Sequence, residues 1–128
     1  MHFLLDTHTL LWYYWNSPQL SNTAKNEINN PYNTLYVSMA SLWEITIKVN
    51  QNKLIVIDPL ALFFTDAVEG YDFRILPIER SHLEKLIGLP LHHRDPFDRL
   101  LIAQSISENI PIISADTAFD AYPVTRIW

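Results

Sequence analysis

Met1-His2-Phe3-Leu4-Leu5-Asp6-Thr7-His8-Thr9-Leu10-Leu11-Trp12-Tyr13-Tyr14-Trp15 opens the chain. Met1 to Leu5 reads as a short buried strand, and Asp6 ends it. From Thr7 the spacing changes: Leu10, Leu11, Tyr14 and Trp15 recur at helical rather than alternating intervals. The same grammar returns twice. Thr34-Leu35-Tyr36-Val37-Ser38 leads within six residues to Glu44, and Pro111-Ile112-Ile113-Ser114 leads to Asp116. Strands that give way to helices argue for a parallel sheet covered on both sides. In such sheets ligands bind outside the carboxyl ends of the strands, so these acids are expected at one edge.

The remaining segments complete the pattern. Ser21 suits the N-cap of a helix running to about Asn30, which Pro31 ends. Leu35–Val37 is a strand, and Met39 to about Gln51 is a helix with Leu42, Ile45 and Val49 on one face. Leu54–Ile57 stays open between short strand and linker. Pro59 fits the first turn of a helix from about Leu60 to Val68. Tyr71–Ile78 alternates as a strand. Glu79–Ile87 is helical and is broken by Gly88-Leu89-Pro90. Pro96 starts a helix to about Glu108, Ile112-Ile113 is a strand, Thr117–Ala121 a helical turn, and Tyr122–Trp128 a last strand. The order β-α-α-β-α-α-β-α-α-β-α-β contains no repeat and no low-complexity tract, and predicts one domain over residues 1–128.

Composition narrows the function classes. The 128 residues are 48% hydrophobic, enough for a real core, and carry a net charge of −5. That balance weakens the case for a broad basic nucleic-acid face, but not for contact with nucleic acid through a cation-loaded acidic site. Cysteine is absent, which removes disulfides, thiol nucleophiles and cysteine-type zinc sites. Two glycines speak against a Gly-rich phosphate loop. The amino-terminal apolar run is short and has no basic leader, and no stretch approaches the ~18 apolar residues of a membrane span. A cytoplasmic protein is the expectation.

Each acid has an ordinary explanation beside the chemical one. Asp6 caps the following helix or binds a cation, and both roles are compatible. Glu44 precedes Lys48 by four residues, the spacing of a helix ion pair, yet lies near the start of the helix that follows a strand. In His92-His93-Arg94-Asp95-Pro96-Phe97-Asp98-Arg99, Asp95 fits an N-cap with Pro96 at the first helical position. Asp98 lies one turn on, on the face of Leu101, Ile102 and Ser105, and is expected to point inward. Asp116 follows a strand end, where a turn or cap is the plain reading. His93, Arg94 and Arg99 are candidates for phosphate contact. His82 is read as alone on a polar helix. The run Trp12–Trp15 covers more than one helix face, so core and interface both remain open for it. Clustered carboxylates repel one another unless a cation sits among them, and hard divalent ions such as magnesium or manganese are the usual occupants.

With these residues in view, the chain resembles the PIN-domain ribonucleases, and within them the VapC-type toxins of toxin–antitoxin pairs. The resemblance is carried by Leu4-Leu5-Asp6-Thr7-His8, Ser41-Leu42-Trp43-Glu44-Ile45, His92 with Arg94-Asp95-Pro96-Phe97-Asp98-Arg99-Leu100-Leu101-Ile102-Ala103-Gln104, and Ser114-Ala115-Asp116 with Phe119. It implies a three-layer α/β/α sandwich around a mostly parallel five-stranded sheet. It implies an endoribonuclease dependent on Mg2+ or Mn2+, an RNA substrate, a small antitoxin that blocks the site, and a homodimer. Position by position, Asp6, Glu44, Asp98 and Asp116 match the family's acidic quartet. Asp98 stands one residue before the usual spacing, which Arg99 occupies, so Asp95 stays a candidate for the third acid. A non-catalytic module whose acidic edge docks a partner, a DNA-directed nuclease and a receiver-like phosphotransfer domain are the rivals. The last type carries an acidic pair beside its first strand, where this chain has Asp6-Thr7-His8-Thr9.

Overall fold

The computed structural model describes residues 1–128. Five strands form one sheet: β1 (His2–Leu5), β2 (Thr34–Ser38), β3 (Arg74–Leu76), β4 (Ile112–Ile113) and β5 (Arg126–Ile127). Their spatial order is β3-β2-β1-β4-β5, and every pairing is parallel. The strands are apolar in consecutive positions because both faces are covered. Phe3, Leu5, Leu35, Val37 and Ile113 face one core, shared with α1 (Thr7–Tyr14), α2 (Asn22–Asn29), α3 (Met39–Asn50) and α4 (Leu60–Ala67). Leu4 and Ile112 face the other, built with α6 (Pro96–Glu108), Phe119 and Tyr122, against which Leu86 of α5 (Arg80–Ile87) packs. The three-layer α/β/α architecture with a central parallel sheet is therefore as expected. No helix is long and apolar enough to cross a membrane.

The strand order fixes where a ligand goes. From β1 the chain steps outward to β2 and β3, then crosses back to lay β4 on the other side of β1. The crevice outside the carboxyl ends of β1 and β4 is the topological switch point, the general ligand position in open parallel sheets. Asp6 and Ser114 directly follow those two strands.

Several boundaries move. The expected strand Tyr71–Ile78 shrinks to Arg74–Leu76; Glu69–Tyr71 is a 3-10 turn closed by Asp72 at φ 58°. Tyr71 turns to Tyr13 instead, ring centroids 5.0 Å apart. The last strand shrinks from Tyr122–Trp128 to Arg126–Ile127. Leu54–Ile57 is neither strand nor helix; Leu54 and Val56 pack on the core while Ile55 and Ile57 face solvent. The aromatic run is mostly core-facing: Tyr14 packs edge-on against Phe63 and Trp12 against Trp128, and Trp15 alone is exposed.

His82 requires a correction. It is fully buried rather than alone on a polar face. Its Nδ1 accepts the Glu79 amide in a capping box, its Nε2 lies 2.7 Å from Glu108 Oε1, and Gln104 Nε2 lies 3.4 Å from Nδ1. Gln104 Oε1 in turn accepts from Ser38 Oγ at 2.5 Å. Ser38 also caps α3 by accepting the Ala40 amide at 3.0 Å. A buried polar line thus joins α5 and α6 to the start of α3, with every member partnered, as interior polar groups require.

Candidate metal centre at the sheet edge

Asp6 is the N-cap of α1. Its Oδ1 accepts the Thr9 amide at 2.7 Å, and its Oδ2 accepts from Ser114 Oγ. Its own amide donates to Ile113 O at 3.2 Å, which pins it to β4. Burial pushes its carboxyl above the ordinary 3.8, opposed by the hydrogen bonds from Ser114 and Thr9 and by the field of His8. The capping and chemical readings therefore coexist on one side chain.

Glu44 sits on α3 and is buried. Thr7 Oγ1 donates to its Oε1 at 2.7 Å and also lies 2.9 Å from Ser41 Oγ. Lys48 Nζ meets Oε2 at 2.7 Å. The expected ion pair is present, but on a carboxylate that faces the interior rather than the surface.

Asp95 caps α6, with Oδ1 accepting the amides of Phe97 and Asp98 at 2.9 and 3.0 Å; Pro96 holds the first helical position. Asp98, in the first turn, keeps its carboxyl partly exposed toward the same edge. Its carboxyl is raised to about 7, first by burial, then by the charges of Asp95, Glu44 and Asp6, with His93 opposing. Three other carboxylates thus act on Asp98, as expected where acids crowd one sheet edge.

Asp116 follows β4 through a tight turn. Its amide donates to Ser114 Oγ at 3.0 Å, and its Oδ1 accepts the Ala118 amide at 2.9 Å. Arg126 braces this turn from β5, donating to Ser114 O at 3.0 Å and gripping the Asp120 carboxylate at 2.8 and 3.0 Å. Asp120 is held below its ordinary range by those bonds.

His93, expected to meet phosphate, lies instead between two acids: its Nε2 is 2.9 Å from Asp116 Oδ2 and 3.2 Å from Asp98 Oδ2. Donor atoms of His93, Asp98 and Asp116 all lie within 4.8 Å of one another. Arg99, also expected at phosphate, directs its guanidinium to the carbonyls of Leu89, Pro90 and His93 at 2.9–3.3 Å. It holds the loop that carries His93. Tyr122 helps, accepting the His93 amide at 2.8 Å and donating to Pro90 O at 2.7 Å. Arg94 is exposed at the rim.

The structure therefore brings Asp98 and Asp116 together with His93; Asp6 and Glu44 fall outside that group, buried under hydroxyl, amide and ammonium donors. Asp95 stands at the rim as a cap. Sequence reasoning missed Thr7 as the donor to Glu44, with Ser41 beside it, and Ser114 as the donor to Asp6. The signal was a hydroxyl one to three residues from each strand-end acid. The donor set suits a hard divalent ion: carboxylate oxygens predominate, and the charge on Asp98 calls for a cation.

A PIN domain family model matches residues 3–124. No curated protein sequence matches the chain. Among solved structures the chain is similar to VapBC2 from Rickettsia felis bound to a promoter DNA fragment, with a TM-score of 0.65 at 16% identity over 98% of this chain and 97% of that one. It is also similar to FitAcB from Neisseria gonorrhoeae, TM-score 0.64 at 15% identity over 97% and 95%. A third is VapBC-5 of Mycobacterium tuberculosis, a toxin–antitoxin system, TM-score 0.61 at 17% over 98% of both chains. At these identities the likeness is one of fold.

Proposed function

The chain belongs to the PIN domain family, and from that premise we propose that it is a VapC-type toxin: an endoribonuclease that hydrolyses RNA phosphodiester bonds with Mg2+ or Mn2+. The observation that carries this reading is the raised carboxyl of Asp98, pressed by Asp95, Glu44 and Asp6 at the switch point of the sheet. A group so perturbed by burial and by specific charges, placed where such folds bind ligands, marks a functional site.

Asp98 and Asp116 are the residues that would hold the ion, with Asp6 and Glu44 completing the acidic set. A divalent ion supplies two things there: a more acidic bound water and positive charge against the phosphate. The chain's own residues do the rest. Thr9 and Ser114 fix both oxygens of Asp6, and Thr7 and Lys48 fix those of Glu44. Carboxylates fixed in this way need little rearrangement during reaction, which is how preorganised sites lower barriers. Arg94, exposed and next to Asp95 in sequence, is the cation proposed to meet a substrate phosphate. Arg99 keeps the loop before α6 in place.

The toxin–antitoxin complexes among the structural relatives support a cognate antitoxin as partner, and the same reading includes a homodimer and cytoplasmic action on RNA. A module that only docks a protein through its acidic edge is disfavoured, because all four acids are present, with Asp6, Glu44 and Asp116 each held by specific donors. The test is cleavage of total RNA by the purified protein in Mg2+, Mn2+ or EDTA, beside Asp98→Asn. Discrete metal-dependent fragments that vanish in the variant are expected. Cleavage that survives the substitution refutes the role of Asp98. No cleavage under any metal, with a partner protein still captured, supports the docking module.

A further inference from the structure

We infer that His93 is a positioning residue that donates one proton to both outward-facing carboxylates, and is neither a phosphate contact nor a metal ligand; this rests on the metal-dependent reading above. The ring sits with Nε2 at 2.9 Å from Asp116 Oδ2 and 3.2 Å from Asp98 Oδ2. Those distances also fit two neighbouring ligands on one ion, so proximity alone leaves the role of Nε2 open. The other ring nitrogen decides it. The Asp95 amide donates to His93 Nδ1 at 3.2 Å. A backbone amide has only a hydrogen to offer, so Nδ1 is the acceptor and the ring proton sits on Nε2. A nitrogen bearing its proton has no lone pair in the ring plane for an ion, whereas it is a good donor to carboxylate.

The surroundings hold that tautomer. The His93 amide donates to Tyr122 Oη, and the His93 carbonyl accepts from Arg99 Nη1 at 3.3 Å. The ring packs against Phe119, centroids 5.7 Å apart. The Asp95 amide that reads Nδ1 belongs to the N-cap of α6, whose first turn carries Asp98. One imidazole therefore ties an acid from the β4 turn to an acid from α6, through a ring that α6's own cap orients. Its proton partly offsets the repulsion between Asp98 and Asp116; with the Ala118 amide on Oδ1 of Asp116 both oxygens of that acid are held, while on Asp98 the ring engages Oδ2 alone. Groups that orient ligating carboxylates in this manner typically change metal affinity by about 10–100-fold when removed.

The test is Mn2+ affinity of the full chain by isothermal titration calorimetry, with electron paramagnetic resonance of the bound ion. His93→Ala is expected to bind about 10–100-fold more weakly. His93→Gln, whose amide nitrogen reaches the place of Nε2, is expected to recover most of that loss, and His93→Asn, whose amide falls short, is not. No nitrogen coupling assignable to His93 is expected. Four results overturn the inference: affinity unchanged in His93→Ala; His93→Gln as weak as His93→Asn; a nitrogen coupling lost in His93→Gln, which makes the imidazole a ligand; or a wild type that binds no divalent ion. The last alone also removes the metal-dependent reading. If His93→Ala does not fold, the Gln and Asn variants decide the matter.

Discussion

Replacing Asp98 by Asn should abolish RNA cleavage and make the metal-free protein more stable. Its carboxyl rises from 3.8 in the unfolded chain to about 7 in the fold. Between those values the folded protein keeps a proton that the unfolded chain has lost. Stability therefore falls as pH rises from about 4 to about 7, and the penalty is complete above that. At about 1.4 kcal/mol for each tenfold in proton affinity the full penalty is about 4 kcal/mol. The side chain is 24% exposed, and solvent screening brings the expectation to about 2–4 kcal/mol. Asparagine keeps the shape and removes the charge. In urea unfolding with EDTA, Asp98→Asn should match the wild type near pH 4 and exceed it by that amount at pH 8, with an unchanged m-value. At pH 8 the melting temperature should rise by about 10 °C. A variant that is less stable at pH 8, or whose gain does not depend on pH, refutes the claim that an uncompensated charge sits on Asp98.

Other outcomes follow from the same contacts. Saturating Mg2+ or Mn2+ at pH 8 should raise the wild-type melting temperature, by about 2.7 kcal/mol in stability at a hundredfold excess over Kd, and leave Asp98→Asn nearly unmoved; a wild-type melting temperature indifferent to both EDTA and metal counts against the site. Asp6→Asn should abolish cleavage but keep the helical circular dichroism, because asparagine caps as well as aspartate; a lost fold would reassign Asp6 to structure. His82→Ala, which breaks a fully buried partner of Glu79, Glu108 and Gln104, should cost about 2–4 kcal/mol in urea unfolding; a change below about 0.5 kcal/mol would mean the polar line is not structural. Arg99→Ala should lower cleavage with a smaller loss of stability, about 1–3 kcal/mol, by freeing the loop that carries His93; full cleavage by this variant would sink the clamp.

The central strands were legible because they are apolar at consecutive positions and are followed within six residues by acids. The edge strands β3 and β5 were over-read. An edge strand pairs on one side only, so alternation in Tyr71–Ile78 reflected contacts of Tyr71 and Phe73 with Tyr13 as much as a ladder. The acids were legible by position, but their donors were not. Thr7 meets Ser41 across 34 residues and Ser114 meets Asp6 across 108; a hydroxyl near an acid in sequence hints at such a donor but not at which distant acid it serves. His82 was misread as solitary because its helix is polar in composition; the acid it pairs with lies 26 residues on, on α6. The roles first given to His93 and Arg99 rested on charge alone, and the loop geometry redistributed them.

The position of β1 has a consequence for how the protein comes into being. β1, which precedes the other four strands in sequence, lies at the middle of the sheet, flanked by β2 and by β4. Asp6 waits for Ser114, 108 residues later. At ribosomal speeds of about 5–20 residues per second, roughly 5–20 s pass before the donor leaves the decoding centre. During that interval the nascent chain has β1, β2 and α3 but no β4 turn, so Asp116 and the Ser114 hydroxyl are missing from the edge. The edge site is therefore completed only once residues 108 positions apart in sequence have met.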